Sequence, residues 1–116
     1  MLNIGYDIKI YLSTGCTDMR KGINGLSMLA QTLLSEQFAN GAMFVFRGKQ
    51  ADKVKLLWWD GQGFCLFYKC LDSGKFIWPG SEDKGTVGIT KAQLSMLLEG
   101  IDWRNPRWSN PPKYTG

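Results

Sequence analysis

The sequence predicts an α+β fold: a single domain with a mainly antiparallel sheet of about five strands and one helix near each end of the chain. Three observations predict it. Residues 42–89 alternate short apolar runs with turns rich in Gly, Asp and Pro, as strands joined by tight connections do. Two other stretches, about residues 18–36 and the segment from Thr90 to Gly100, repeat apolar residues at spacings of three and four, the helical period. Finally, 116 residues suffice for one core and leave little room for a second.

Taken in order, residues 6–12 alternate Tyr6, Ile8, Ile10 and Leu12 on one face with Asp7, Lys9 and Tyr11 on the other, a half-buried strand expected near a sheet edge. Ser13-Thr14-Gly15 should end it. The first helix is expected over about residues 18–36, with Thr17 or Asp18 as its N-cap and Met19, Ile23, Leu26, Ala30 and Leu33 as its apolar stripe. Gly22 and Gly25 each cost a helix about 1 kcal/mol relative to Ala. Either something packs closely against the first turns, or the helix starts later; the sequence leaves both open. Met43–Arg47 is apolar on both faces, as a central strand should be.

Lys53–Trp59 and Phe64–Leu71 flank Asp60-Gly61-Gln62-Gly63, which predicts a hairpin. Pairing 60 with 63 sets Trp58 opposite Cys65, Leu56 opposite Phe67 and Val54 opposite Lys69. The other face then carries Trp59 beside Phe64, Leu57 beside Leu66 and Lys55 beside Tyr68. Asp72-Ser73-Gly74 turns the chain into a strand over Lys75–Trp78, ended by Pro79-Gly80, and Gly85–Ile89 is a weaker last strand. Thr90 and Gln93 form a capping box for the second helix, whose buried face is Leu94, Leu97, Leu98 and Ile101. Gly100 suits the left-handed C-terminal position, with Ile101 set to touch Met96. The domain is expected over 1–104, followed by a Pro-rich tail at 105–116.

Composition narrows the function. The net charge of +4 and a pI near 9.1 favour nucleic acid mildly, without the dense basic runs of a strong binder. Cys16, Cys65 and Cys70 are odd in number and lack a secreted framework's spacing, which fits reduced thiols in a cytoplasm. No signal peptide opens the chain and no apolar run is long enough to span a bilayer, so no membrane partner is expected.

The chain has no His, which removes the commonest general base and metal ligand. Three Cys without His cannot complete a zinc site, and no phosphate-binding Gly-rich loop is present. A carboxylate site for Mg²⁺ would have to draw on Asp18, Asp60, Asp72, Glu99 and Asp102, each of which has a structural role as a cap, a turn residue or a helix end. No cofactor, metal or catalytic residue is therefore assigned.

Binding chemistry is better represented. Leu57, Trp59, Phe64 and Leu66, if left open, make an apolar protein-interaction patch, because adjacent Trp58 and Trp59 cannot share a face of the sheet. Trp103, Arg104 and Trp108 bring hot-spot residue types toward the tail, with Trp103 also able to fold back on the domain. Arg20, Lys21, Arg47, Lys49, Lys53 and Lys55 are the alternative, a nucleic-acid surface among aromatics such as Phe67, Tyr68 and Trp78.

Five segments also carry a family resemblance. They are Thr17-Asp18-Met19-Arg20-Lys21-Gly22, Phe44-Val45-Phe46-Arg47-Gly48, Leu57 through Gly63, Phe76-Ile77-Trp78-Pro79, and Leu94 through Arg104. In order and spacing they resemble the small accessory proteins of the insertion-sequence family numbered sixty-six, over about Tyr6 to Trp108. The resemblance implies a non-catalytic partner of an element-encoded transposase and a role in transposition. It carries over no ligand or catalytic residues, only attention to Asp18, Arg20, Lys21, Arg47, Trp58, Trp59, Asp60, Trp103 and Arg104. This sequence departs from the family at Cys70, Asp72 and Ser73, where relatives often carry a more basic run, and Lys does not reproduce the two-pronged contacts of Arg. The expectation is an accessory factor that contacts the transposase or its DNA complex, with element DNA as the alternative partner and self-association open.

Overall fold

The strand that is apolar on both faces does lie at the centre of the sheet. In the computed structural model, which describes residues 8–33, 41–80 and 85–104, the strands are β1 (Ile10–Cys16), β2 (Met43–Arg47), β3 (Lys53–Trp59), β4 (Phe64–Cys70) and β5 (Thr86–Ile89), and the helices are α1 (Ile23–Leu33) and α2 (Lys91–Leu98). The sheet order is β4-β3-β2-β1-β5, and every neighbouring pair is antiparallel except β1 with β2. The architecture is α+β, as expected. The β3–β4 register is also the expected one, from Lys53 opposite Cys70 to Trp59 opposite Phe64.

The pleat sorts the core into two layers. Ile10, Leu12, Met43, Val45, Val54 and Leu56 face α2, where Leu94, Leu97 and Leu98 cover them together with Phe76, Trp78 and Trp103. Ala42, Phe44, Phe46 and Leu57 face the other way, under Leu26 and Ala30 of α1. The connection from β1 to β2 carries α1, as a parallel pair requires.

Several expectations are corrected. The first strand lies one place in from an edge, between β2 and the edge strand β5, and it continues through Ser13-Thr14-Gly15 to Cys16, where a break was expected, because both neighbours supply partners. Tyr6 and Asp7, and residues 34–36 of the first helix, lie outside the described residues. The helix starts at Ile23, so Asp18 does not cap it. Asp18 instead accepts hydrogen bonds from the Arg20 N–H at 2.9 Å and from its guanidinium, closing a turn ahead of the helix. Of the two readings of the glycines the later start is the one that holds: nothing lies within 4 Å of a Cβ placed on Gly22, and one on Gly25 would make ordinary contact with the Lys21 stem at 3.4 Å.

Residues 75–78 form no strand. Their polar groups are held by scattered bonds, from the Phe76 N–H to the Ala51 carbonyl and from the Trp78 indole N–H to the Ser13 carbonyl, so Phe76 and Trp78 fill the core without joining the ladder. At the second helix the capping box is present in full, with Thr90 Oγ1 accepting from the Gln93 N–H at 3.1 Å and Gln93 Oε1 from the Thr90 N–H at 2.9 Å, worth about 1 kcal/mol. Gly100 adopts φ +78°, and the Gly100 and Ile101 N–H groups return to the Leu97 and Met96 carbonyls. Ile101, expected in the buried face, is exposed just past this turn.

Candidate functional site

Two ends of the sheet carry the candidate residues. At the end formed by the β3–β4 hairpin, Asp60 accepts the Gln62 and Gly63 N–H groups at 2.8 and 3.0 Å, which fixes the tip. Those two bonds hold the Asp60 carboxyl below the usual carboxylate range. Trp59 stands next to this turn, on the α1 face, and its ring meets Phe64 edge-on at 5.0 Å between centroids. It remains 41% exposed, whereas Phe64 and Leu66 are half-buried against the α1 layer. The open apolar patch expected here is smaller than four residues, because α1 covers Leu57 completely (0% exposed) and makes it core. Trp58, on the opposite face, packs against the α2 layer.

At the other end, the chain between β1 and α1 lies beside the β2–β3 turn, joined by the bond from the Thr17 N–H to the Arg47 carbonyl. Arg20, Lys21, Arg47, Lys49 and Lys53 thus come to one end of the sheet, as the nucleic-acid alternative needs. Most of these cations are already engaged. Arg20 grips Asp18 at 2.8 Å, which draws the Asp18 carboxyl well below the usual carboxylate range and the guanidinium above its own. Lys53 stands 3.5 Å from Asp52, and Arg47 Nη1 donates to the Gly48 carbonyl at 3.2 Å. The buried Nε of Arg47 has no hydrogen-bond partner.

Lys55 is the clearest correction. Its side chain is buried (7% exposed) and its ammonium donates to the Met19 and Lys21 carbonyls at 2.7 and 2.9 Å, 4.7 Å from the centre of the Tyr68 ring. It staples the 17–22 loop to the sheet and is not presented to a phosphate. Sequence reasoning missed this because a Lys in a strand reads as a solvated face. The available signal was its place between Val54 and Leu56 on a strand buried on both sides.

Trp103 takes the other course the sequence allowed it, folding back on the domain, and is withdrawn as a contact residue. It is 4% exposed, and its indole N–H donates to the Ile77 carbonyl at 2.8 Å. Neighbouring Arg104 points to solvent, held by Asp102 through the same Asp-x-Arg arrangement seen at Asp18, with Nε to Oδ1 at 3.0 Å. Trp108 lies outside the described residues. Among the described residues, no group of three or more Cys, Asp or Glu could hold a metal ion, and no helix is long and apolar enough to cross a membrane.

Comparison with known proteins agrees with the motif pattern. A family model described as IS66 Orf2 like protein matches residues 8–108. The chain is 45% identical to protein y4hO of Sinorhizobium fredii (strain NBRC 101917 / NGR234), across the whole of both chains. It is 36% identical to y4jC of the same strain over 104 residues, 89% of this chain and 87% of that one. No solved structure matches. The chain belongs to the IS66 Orf2-like family, and its role is an accessory one associated with transposition.

Proposed function

We propose that this chain is a non-catalytic accessory factor that binds the element-encoded transposase, or the complex of that transposase with element DNA, in the cytoplasm. Its contact would be centred on Trp59, with Phe64 and Leu66 beneath it and Arg104 and Trp108 as further contacts. The observation that carries this reading is the state of Trp59, exposed yet packed edge-on against Phe64. A partly exposed indole already packed on a neighbouring ring offers a large apolar area, the profile of an interface hot spot. A second reading, direct contact with element DNA through Arg20, Lys21, Arg47, Lys49 and Lys53, is favoured by their convergence on one end of the sheet.

Salt discriminates between the two. Transposase binding that persists from low to moderate salt and is lost in Trp59→Ala supports the adaptor reading. DNA binding that falls steeply with salt, with no transposase binding, overturns it and turns attention to Arg20 and Lys21.

A further inference from the structure

The two edges of the sheet are built differently. β5 is four residues long and includes Gly88. β4 is seven residues long, Phe-Cys-Leu-Phe-Tyr-Lys-Cys, with no Pro, no Gly and a single charge. Edge strands of monomeric proteins are ordinarily short, or are guarded by charges, Pro or bulges. The one charge on β4 is turned aside, since Lys69 Nζ donates to the Leu98 carbonyl at 2.6 Å.

The direction of the main-chain groups along β4 follows from bonds just beyond its two ends. The Asp60 N–H donates to the Gly63 carbonyl, and the Leu71 N–H donates to the Asp52 carbonyl. Inward and outward residues alternate in an antiparallel ladder. The odd-numbered residues of β4 therefore bond to β3, and the N–H and C=O of Leu66, Tyr68 and Cys70 point away from the sheet. Among the described residues no strand takes them.

We infer that β4 pairs with β4 of a second copy of this chain, antiparallel about a two-fold axis at Phe67, so that two five-stranded sheets become one. Only this register overlaps all seven residues of both strands. It pairs the outward main-chain groups of Leu66 with those of Tyr68 in the second copy, and Tyr68 with Leu66, as a self-complementary two-fold interface requires. Phe67 then meets its own counterpart at a position where opposed side chains approach closely. Lys69 faces Cys65, so like charges are not set against each other. The groove beside β4, lined by Phe67, Lys69, Ser95, Leu98 and Glu99, receives the second Phe67. This pairing does not use Trp59 and stands apart from the transposase contact.

The test is the mass of the full chain by sedimentation equilibrium over a concentration series. We expect twice the 13.1 kDa of one chain, with Trp59→Ala unchanged. Tyr68→Glu places a carboxylate in the interface while leaving Lys55 an anionic neighbour, and Cys70→Pro removes one outward N–H without touching the β3 ladder. Each should weaken self-association roughly tenfold or more, with the denaturation midpoint of the dilute protein checking that the variants fold. Phe67→Cys, with the three native cysteines changed to Ser, should give a disulfide dimer on oxidation, since opposed Cβ atoms at a non-hydrogen-bonded pair approach to about 4.5 Å, within reach of a disulfide. A single-chain mass at every concentration, or a dimer indifferent to both edge variants, overturns the inference. So does an edge that pairs only when transposase is added.

Discussion

The two ends of the sheet solve opposite problems. Where β1 and β2 finish, the structure gathers cations and then uses them internally: Lys55 on two carbonyls, Arg20 on Asp18, Lys53 beside Asp52. At the hairpin end the polar groups are satisfied by the turn itself, and an aromatic ring is left over. A count of Lys and Arg overstates how much charge a partner can meet, because a cation bonded to its own loop is structure. An exposed ring, by contrast, keeps apolar area open to a partner.

Breaking the staple should have the largest effect. Lys55→Met leaves the Met19 and Lys21 carbonyls without their donor, and the 17–22 loop should loosen at a cost of about 3 kcal/mol, read as a fall in the urea midpoint. At the same end, Ala51 holds φ +60° in the β2–β3 turn, a conformation that disfavours a side chain. Ala51→Gly should therefore stabilise the protein, by about 1 kcal/mol after the added freedom of the unfolded chain is set against the relieved strain; an unchanged or lower midpoint would contradict this. At the hairpin end, Trp59→Ala should cost about 2 kcal/mol, for the part of the ring packed against Phe64 and its neighbours, while transposase binding is lost. If that substitution unfolds the protein, the ring is structural and the contrast between the ends fails.

Acid should affect both ends modestly. Asp18 and Asp60 are held below the ordinary carboxylate range, the first chiefly by the Arg20 guanidinium and the second by the Gln62 and Gly63 N–H groups. A carboxylate with a depressed folded value contributes stability that is complete above about pH 4 and is lost as pH falls through the folded value. Asp18→Asn and Asp60→Asn should each flatten the decline of the midpoint below that pH. Because both side chains face solvent, added salt should shrink the Asp18 effect, whose source is an ion pair, more than the Asp60 effect, whose source is backbone N–H groups.

Local signals carried most of the fold. The β3–β4 register was legible because two period-two strands meet at a four-residue turn that fixes their offset. The Thr90–Gln93 box and Gly100 likewise act within a few residues of themselves. What the sequence did not disclose depends on distant neighbours. The parallel pairing of β1 with β2 and the placing of β1 between β2 and β5 are set by which strand lies alongside, and periodicity is silent on that. Residues 75–78 resemble a strand in composition, yet their groups are claimed by Ala51, Ser13 and Trp103 from elsewhere in the chain.

The candidate site followed the same division. The exposure of Trp59 was legible because the pleat forces it away from Trp58, a local fact. Leu57 and Lys55 were misjudged, and Trp103 was left between two roles, because α1, the 17–22 loop and Ile77 cover or bind them across the fold.

The position of β1 bears on how the molecule is made. Among the described strands it is the first to be synthesised, and one of its sides waits for β5, the last of them. As the nascent chain emerges, β2, β3 and β4 can assemble in turn, but the outer side of β1 stays bare until Thr86–Ile89 arrives, and the α2 face stays uncovered until the helix after it. Long-range closures of this kind are slow and leave apolar surface open while they wait. A reading frame interrupted late would therefore release a sheet of four strands with an unguarded flank and an exposed row of Ile10, Leu12, Met43, Val45 and Leu56. Such a product should aggregate rather than persist as a weakened form of the protein.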